Sequence, residues 1–515
     1  MALGFVAALI ISAAPPAAAE PVPGRPNDQT IQRVQTYLDQ QVADNGWPGA
    51  SLAVVHGQSV VALHTTGKAD DHGRALTPDT PVLLASVTKS VTAVAIMQLV
   101  DSGKVRLDAP VVTYLPWFRT RDKAASDTIT VAQLLQHTSG LGTNPRGEQD
   151  RLRHSEPAEL ERGIRDLAAA DLVSVPGKEF RYANANYDVL GMIIQTVSGQ
   201  PFATYVEQNV FAAIGMSHSF VGKDQAPAHQ AAAGYRPTDT PLRGVFAPSA
   251  GGYSSASDLA RFLIMEMNGG TIDGKRVLST ASVDQMHRPA VAENDFTGYA
   301  MGWRVRPGWE YLRPAEQTAS DRLPLLLEHA GSWPNTTTYV GFQPEAKLGF
   351  AVLVNGNEPD QSRLTALGPN IWRLLAGQEP TASGGQGRWL EVHGWQVGAA
   401  VIILLLASLV VSVVLITRRR TVRARWVFLG HALIIDAIVL IFVLGYVPRT
   451  FDTPALAISQ LNPDLGIELL AVLALTVLWA PIRTLLLIRR AMITRRPARS
   501  ADHPPEPAPL ESPTT

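Results

Sequence analysis

No cysteine occurs anywhere in this chain, so both a disulfide framework and attachment of a lipid through an N-terminal cysteine are excluded. Charge of either sign is also scarce: 44 Lys and Arg oppose 45 Asp and Glu, a balance with no basic excess to suggest nucleic acid. Three common catalytic signatures are missing, namely the Gly-x-Ser-x-Gly elbow, the His-Glu-x-x-His zinc helix and the Walker lysine loop. The 12 histidines are scattered without ligand spacing, so neither a metal nor any other cofactor is expected. What is abundant is apolar material, at 46% of 515 residues, enough for a large core and for about three structural units.

The apolar residues are unevenly placed. Residues 3 to 14 form an apolar run too short to span a bilayer, followed by Ala17-Ala18-Ala19 before Glu20, which fits a cleaved signal peptide over residues 1–19. The usual positive n-region is missing, so the true start is expected elsewhere than Met1. Three further runs, about 397–416, 427–447 and 465–488, are each long enough to cross roughly 30 Å of hydrocarbon. Arg418, Arg419, Arg420, Arg423 and Arg425 separate the first two, and Arg489, Arg490, Arg495, Arg496 and Arg499 follow the third. The intervening loop instead carries Asp452 and Asp464. By the positive-inside rule both basic clusters face the cytoplasm, which puts residues 20–396 outside and agrees with an exported N-terminus. Asp436 and Arg483 fall within the runs and are read as a snorkelling or paired set rather than a proton relay. The stretch 489–515, basic and then Pro-rich, reads as a cytoplasmic tail. The expected location is a multi-pass cell (inner) membrane protein with its globular part facing the periplasm or cell exterior.

Residues 27–376 read as one α+β unit. Strand-like runs at Ala50–Val55 and Gly349–Val354 bracket long helical patterns, so the expectation is an antiparallel sheet closed by both ends of the domain, flanked by helices, with an all-helical region inserted. Residues 377–396 begin with the composition of a linker. No internal repeat is visible.

Within this unit Ser86-Val87-Thr88-Lys89 is the chain's one Ser-x-x-Lys. It opens a helical run, and an i,i+3 pair shares one helix face, so a neutral Lys89 can take the proton of the Ser86 hydroxyl. A capping serine followed by a surface lysine is the competing reading. Tyr182-Ala183-Asn184 stands where a polar turn enters an apolar helix. A phenol exchanging a proton with Lys89 can serve as base and then acid, and Asn184 can hold a substrate carbonyl or the lysine ammonium. Alternatively Asn184 or Asn186 caps the helix and Tyr182 is a half-buried aromatic. His329-Ala330-Gly331-Ser332 lies on a strand-like run, where small residues allow close approach and the Ser332 amide can join the Ser86 amide in an oxyanion hole. His137, in Gln136-His137-Thr138-Ser139-Gly140-Leu141, reads as part of a structural turn.

With these motifs in order, residues 30–375 resemble the serine β-lactamase and penicillin-binding superfamily, in its class C branch with related esterases and D-amino-acid peptidases. Ile214-Gly215-Met216, Gly251-Gly252-Tyr253-Ser254-Ser255 and Gly298-Tyr299-Ala300-Met301-Gly302-Trp303 add to the likeness. The resemblance implies acyl-enzyme catalysis, with Ser86 as nucleophile, Lys89 and Tyr182 as the proton-transfer pair, and Asn184, His329, Gly331 and Ser332 at the substrate. Where many members carry Lys-Thr-Gly, this chain has His-Ala-Gly, which trades a permanent cation for an imidazole and shifts expectation from β-lactams toward peptides, amides or esters. An exported domain followed by three spans also resembles the membrane-bound peptidases that mature nonribosomal products, including the colibactin-maturing peptidase, which remove an acyl-D-amino acid. Trp333 stands where that group can present a polar residue to the cap, which argues against D-Asn specificity. The expected function is thus a membrane-anchored serine peptidase or amidase. The alternatives are prodrug activation, esterase or weak β-lactamase activity, and a penicillin sensor that does not turn over. Its expected partners are a small-molecule or peptide substrate and the lipid bilayer, with no nucleic acid, and oligomeric state is left open.

Overall fold

The computed structural model describes residues 24–142, 158–234, 247–294, 297–307, 325–333, 335–356 and 362–381, with short helical stretches between 396 and 489. The chain divides into two units, Met1–Val392 and His393–Thr515. The expected signal peptide, the tail beyond 489 and much of the three expected spans lie outside the described residues.

In the first unit an eight-stranded antiparallel sheet forms the frame. Its strands are β1 (Gly49–His56), β2 (Ser59–Gly67), β3 (Val291–Ala292), β4 (Gly298–Tyr299), β5 (Arg304–Pro307), β6 (Leu325–Trp333), β7 (Thr336–Gln343) and β8 (Leu348–Val354), in the order β2-β1-β8-β7-β6-β5-β4-β3. The two terminal apolar runs do lie side by side: Ala50 opposes Val354, Leu52 opposes Val352 and Val54 opposes Phe350. Both strands are buried on both faces, which explains why they read as continuous apolar runs rather than alternating ones.

Period-two alternation sends neighbouring residues to different layers. Leu52, Val54, Phe350 and Val352 pack in one core with Val34 and Leu38 of helix α1 (Asp28–Asn45) and Leu367, Ile371 and Trp372 of the last helix of this unit. Ala53, Val55, Ala351 and Leu353 face the larger core, built on α2 (Thr88–Asp101), α3 (Asn184–Ser198) and α4 (Ala256–Met267). The last helix, α5, spans Ser362–Leu375. Helix α1 starts where the Asn27 side chain accepts from the Thr30 amide and stops at Gly46, whose φ of 63° is left-handed.

Helix α2 is buried nearly all round, as an apolar sequence without a polar stripe requires. Its hydroxyls satisfy neighbouring backbone instead of water: Ser90 donates to the Gly302 carbonyl at 2.7 Å, Thr92 donates to Pro248 at 2.7 Å, and Thr88 accepts from the Gly252 amide at 3.0 Å. The region inserted between β2 and β3 also holds a three-stranded sheet, ordered Val82–Leu83, Gly252–Ser254, Phe220–Val221. Strands of two or three residues carry no readable periodicity. At the other end, the first residues of the expected linker are fastened to the domain. Arg33 pairs with Glu379 at 2.6 Å, and Asn370 bonds Thr381 through both its amide groups at 2.9–3.0 Å.

In the second unit the described residues are helical, and among them no helix is long and apolar enough to cross a membrane.

Candidate active site

Ser86 sits in a one-turn 3-10 segment, Ala85–Val87, immediately before α2. Ala85 has φ 46°, a left-handed conformation that costs a residue with a Cβ about 1–2 kcal/mol and persists only where surroundings enforce it. Here they do. The Leu84 amide donates to the Gly252 carbonyl at 2.8 Å, and the Leu84 carbonyl accepts from the Thr338 hydroxyl at 2.8 Å. Gly331 on β6 brings a second strand against the same turn: a Cβ there would stand 2.1 Å from the Leu84 oxygen. Backbone contact at that range is open only to glycine.

Lys89 is the second residue of α2 and is fully buried. Its Nζ lies within hydrogen-bond reach of Ser86 Oγ at 3.2 Å, Asn184 Oδ1 at 2.8 Å and the Ser249 carbonyl at 2.9 Å, three partners without a carboxylate among them. The surface-lysine alternative is therefore overturned. Asn184 is the first residue of α3 and Ala183 is its cap, so neither Asn184 nor Asn186 caps the helix. Tyr182 is half-buried, and its ring centroid lies 4.8 Å from Lys89 Nζ. The helix spacing and the Tyr-x-Asn turn thus bring Ser86, Lys89, Tyr182 and Asn184 to one place.

The third motif presents its side chains to two faces of the sheet. Along β6 the side chains alternate, so His329 and Gly331 point toward α2 while Ala330 and Ser332 point to the other face and are exposed. His329 is completely buried. Its Nδ1 lies 2.8 Å from the Ala330 carbonyl, which can only accept, so Nδ1 carries the proton and Nε2 accepts from the Tyr299 hydroxyl at 3.2 Å. Burial first, and then the Arg304 and Lys89 cations, hold its pKa well below the usual imidazole range. The imidazole is a neutral wall element, not a cation offered to a substrate. Gly331 acts through backbone proximity to Leu84, and the Ser332 side chain is exposed. The ladder between β5 and β6 ends at Glu328, just before this stretch.

Several further groups stand at the site that the sequence did not assign to it, and His137, read from sequence as part of a structural turn, is among them. Arg304 is held by Glu293 through two bonds of 2.8 and 3.1 Å, and its guanidinium carbon lies 5.6 Å from the Tyr182 ring centroid. Burial works against its charge, but Glu293 and the Tyr182 and Tyr299 hydroxyls keep its pKa raised. Tyr299, whose pKa burial pushes far up, packs 6.2 Å from His329 and 6.5 Å from Tyr182. His137 packs 4.4 Å from Tyr182. Ser249 contributes a carbonyl, which any residue type supplies and no motif can reveal. Tyr299 does lie in a segment that carries the resemblance. Among the described residues no cluster of His, Asp or Glu suits a metal ion.

Comparison with known proteins agrees with this architecture. The model of the beta-lactamase family matches residues 34–368. Penicillin-binding protein 4 of Amycolatopsis lactamdurans is 32% identical over 367 residues, covering 67% of this chain and 89% of that protein. Protein flp of Staphylococcus aureus is 27% identical over 344 residues; the alignment covers 65% of this chain and 64% of that protein, so the chain spans just under two thirds of its length. Among solved structures, the octameric penicillin-binding protein homologue from Pyrococcus abyssi superposes with a TM-score of 0.56 at 26% identity, covering 68% of this chain and 79% of that one.

Proposed function

The chain belongs to the beta-lactamase family of serine hydrolases, and on that premise we propose that it is a membrane-anchored, extracytoplasmic peptidase or amidase acting through an acyl-enzyme on Ser86. One observation carries the reading. The Lys89 Nζ lies 3.2 Å from Ser86 Oγ and 2.8 Å from Asn184 Oδ1, beside the Tyr182 ring.

In this mechanism the Tyr182–Lys89 pair takes the Ser86 proton as Oγ attacks the substrate carbonyl. The oxyanion is met by the Ser86 and Ser332 amides, and the pair returns the proton to the leaving amine as the carbon–nitrogen bond breaks. Water then repeats the sequence on the acyl-enzyme, releasing the acid and Ser86. Asn184 orients Lys89 and the substrate amide. The buried, neutral His329 supports a substrate without a carboxylate at that position, which disfavours efficient β-lactam turnover and favours peptide or acyl-amino-acid amides.

Anchoring is supported by the second unit, where Ile403, Leu404, Val410, Ile434, Ile438 and Leu485 are each 60–67% exposed. Aliphatic surface of that kind calls for an apolar environment. The described N-terminal unit then works outside the cytoplasm, a reading supported by the arginine clusters after the first and third runs.

The test is covalent. A labelled penicillin is expected to acylate, and a labelled fluorophosphonate to phosphonylate, the full chain in membranes, and both labels are expected to be lost in Ser86→Ala. Persistent labelling of Ser86→Ala refutes the assignment of the nucleophile. Side-by-side turnover of nitrocefin, D-Ala-D-Ala peptides, short-chain esters and acyl-D-Asn amides then ranks substrate classes, with amides expected to exceed nitrocefin.

A further inference from the structure

His137 carries three costs at once. It is a non-glycine residue with φ 56°, in the left-handed region. Its imidazole is fully buried and its pKa held low by burial, then by Lys89, His329 and Arg304. Its Nδ1 accepts from the Ala183 amide at 3.2 Å and from the Asn186 side-chain amide at 2.9 Å, which puts the proton on Nε2, and Nε2 is buried without a hydrogen-bond partner. A turn that served only to reverse the chain would need none of these features, and a buried donor left unpaired costs about 1–3 kcal/mol. Such outliers cluster where geometry is enforced for function.

The place of His137 says what is enforced. Its ring lies 4.4 Å from that of Tyr182 at an interplanar angle of 33°, a direct face contact. On the remaining sides stand Phe180 at 5.8 Å, Tyr187 at 5.2 Å and Tyr299 at 4.9 Å. The Nε2 proton therefore points among aromatic rings, where only weak contacts to their faces are open to it. The backbone of the same residue is engaged as well: its carbonyl accepts from the Arg181 amide at 2.7 Å, next to Tyr182 in sequence. One residue thus grips the Tyr182 segment on both sides, through the Arg181 amide and the Ala183 amide, and bears on the ring between them.

We propose that His137 is the positioning residue for the Tyr182 phenol, fixing the ring against Lys89 through a neutral imidazole of single tautomer. This rests on the reading of Tyr182 as proton carrier toward Ser86. The ionisable groups facing the imidazole are Lys89 from α2, Tyr182 and Tyr187 from α3 and the turn before it, Tyr299 and Arg304 from β4 and β5, and His329 from β6. With Arg304 and Lys89 among them, a protonated His137 would be repelled, and the neutral ring is what the site accepts.

The experiment is a double-mutant cycle on the full chain, read as the rate constant of acylation by a labelled penicillin taken to complete labelling. Asn tolerates the left-handed backbone and sets Oδ1 where Nδ1 was, so His137→Asn keeps the Ala183 bond and removes only the ring. Loss of alignment by about 1 Å costs on the order of 100-fold, so a fall of about 10- to 100-fold with complete final labelling is expected. In a Tyr182→Phe background the same change is expected to add less than about twofold, because it acts through the phenol. Equal slowing in both backgrounds, or acylation of His137→Asn at the wild-type rate, overturns the proposal. A Tyr182→Phe enzyme that acylates at the wild-type rate instead overturns the underlying proton-carrier reading. His137→Gly, whose backbone suits φ 56°, gives the second arm: added imidazole is expected to restore the rate and pyrrole, which lacks the acceptor nitrogen, is not. Rescue by both, or by neither with complete labelling, refutes the role given to Nδ1.

Discussion

Replacing Gly331 by alanine probes how the nucleophile is held. The added Cβ would stand 2.1 Å from the Leu84 oxygen and 2.4 Å from the Thr338 hydroxyl. An ordinary carbon–oxygen contact is about 3.3 Å, so the turn bearing Ser86 must retreat from β6 by about 1 Å. Retreat breaks the 2.8 Å bond from Thr338 to the Leu84 carbonyl. Overpacking costs about 1–3 kcal/mol and the lost bond about 1 more, for a total near 2–4 kcal/mol. The same displacement shifts Oγ against Lys89 Nζ, which lies 3.2 Å away, and is expected to slow acylation by on the order of 100-fold. Labelling kinetics with a penicillin probe and thermal denaturation of the full chain in detergent read the two effects. Thr338→Val separates them, since it removes the hydroxyl without adding bulk and is expected to lower the rate less than about tenfold. If Gly331→Ala acylates within twofold of wild type at an unchanged Tm, the close approach of β6 to the nucleophile turn is wrong.

Two further outcomes follow from buried charge and exposed apolar surface. His329 and His137 both have folded pKa values below the unfolded imidazole value, so the unfolded chain binds more protons than the folded one as pH falls below about 6.5. Their contribution to stability is full above that pH and is lost as pH drops through the window below it, by up to about 1.4 kcal/mol per unit for each histidine. Denaturant titrations at pH 7.5, 6.5 and 5.5 are expected to show a slope in wild type that exceeds that of His329→Gln by about one proton; equal slopes would mean the ring is protonated in the folded chain. For the second unit, the protein is expected to stay in the membrane fraction through an alkaline carbonate wash, and added protease is expected to reach the hydrolase unit from the non-cytoplasmic side. Release into the wash contradicts the spanning assignment, and protection of the hydrolase unit contradicts its orientation.

The frame was readable because its signals are local or terminal. Ala50–Val55 and Gly349–Val354 are apolar without alternation, and strands buried on both faces are what such runs become; their pairing as neighbours then closes the domain. Ser86 and Lys89 were readable for the same reason, since three residues on a helix set them on one face whatever the rest of the chain does. The small sheet at Val82–Leu83, Phe220–Val221 and Gly252–Ser254 had no such signal, because its strands are shorter than one period of any pattern and exist only through tertiary pairing.

The limits at the site have a physical cause of the same kind. His329, Gly331 and Ser332 were grouped because they adjoin in sequence, yet a strand turns successive side chains to opposite faces, and that separates the buried imidazole from the exposed Ser332 side chain. Arg304 and His137 could not be placed by spacing, since 122 and 45 positions separate them from Tyr182 and only the folded chain brings their side chains against its ring. That geometry changes how the missing lysine of the third motif is understood. The substitution by His329 does not leave the cleft without positive charge, because Arg304 and Lys89 both lie within 6 Å of the Tyr182 ring. The two side chains disfavour protonation of either histidine behind that ring. The histidines therefore supply shape and hydrogen-bond direction, and the positive charge near the Tyr182 ring comes from residues that the third motif does not contain.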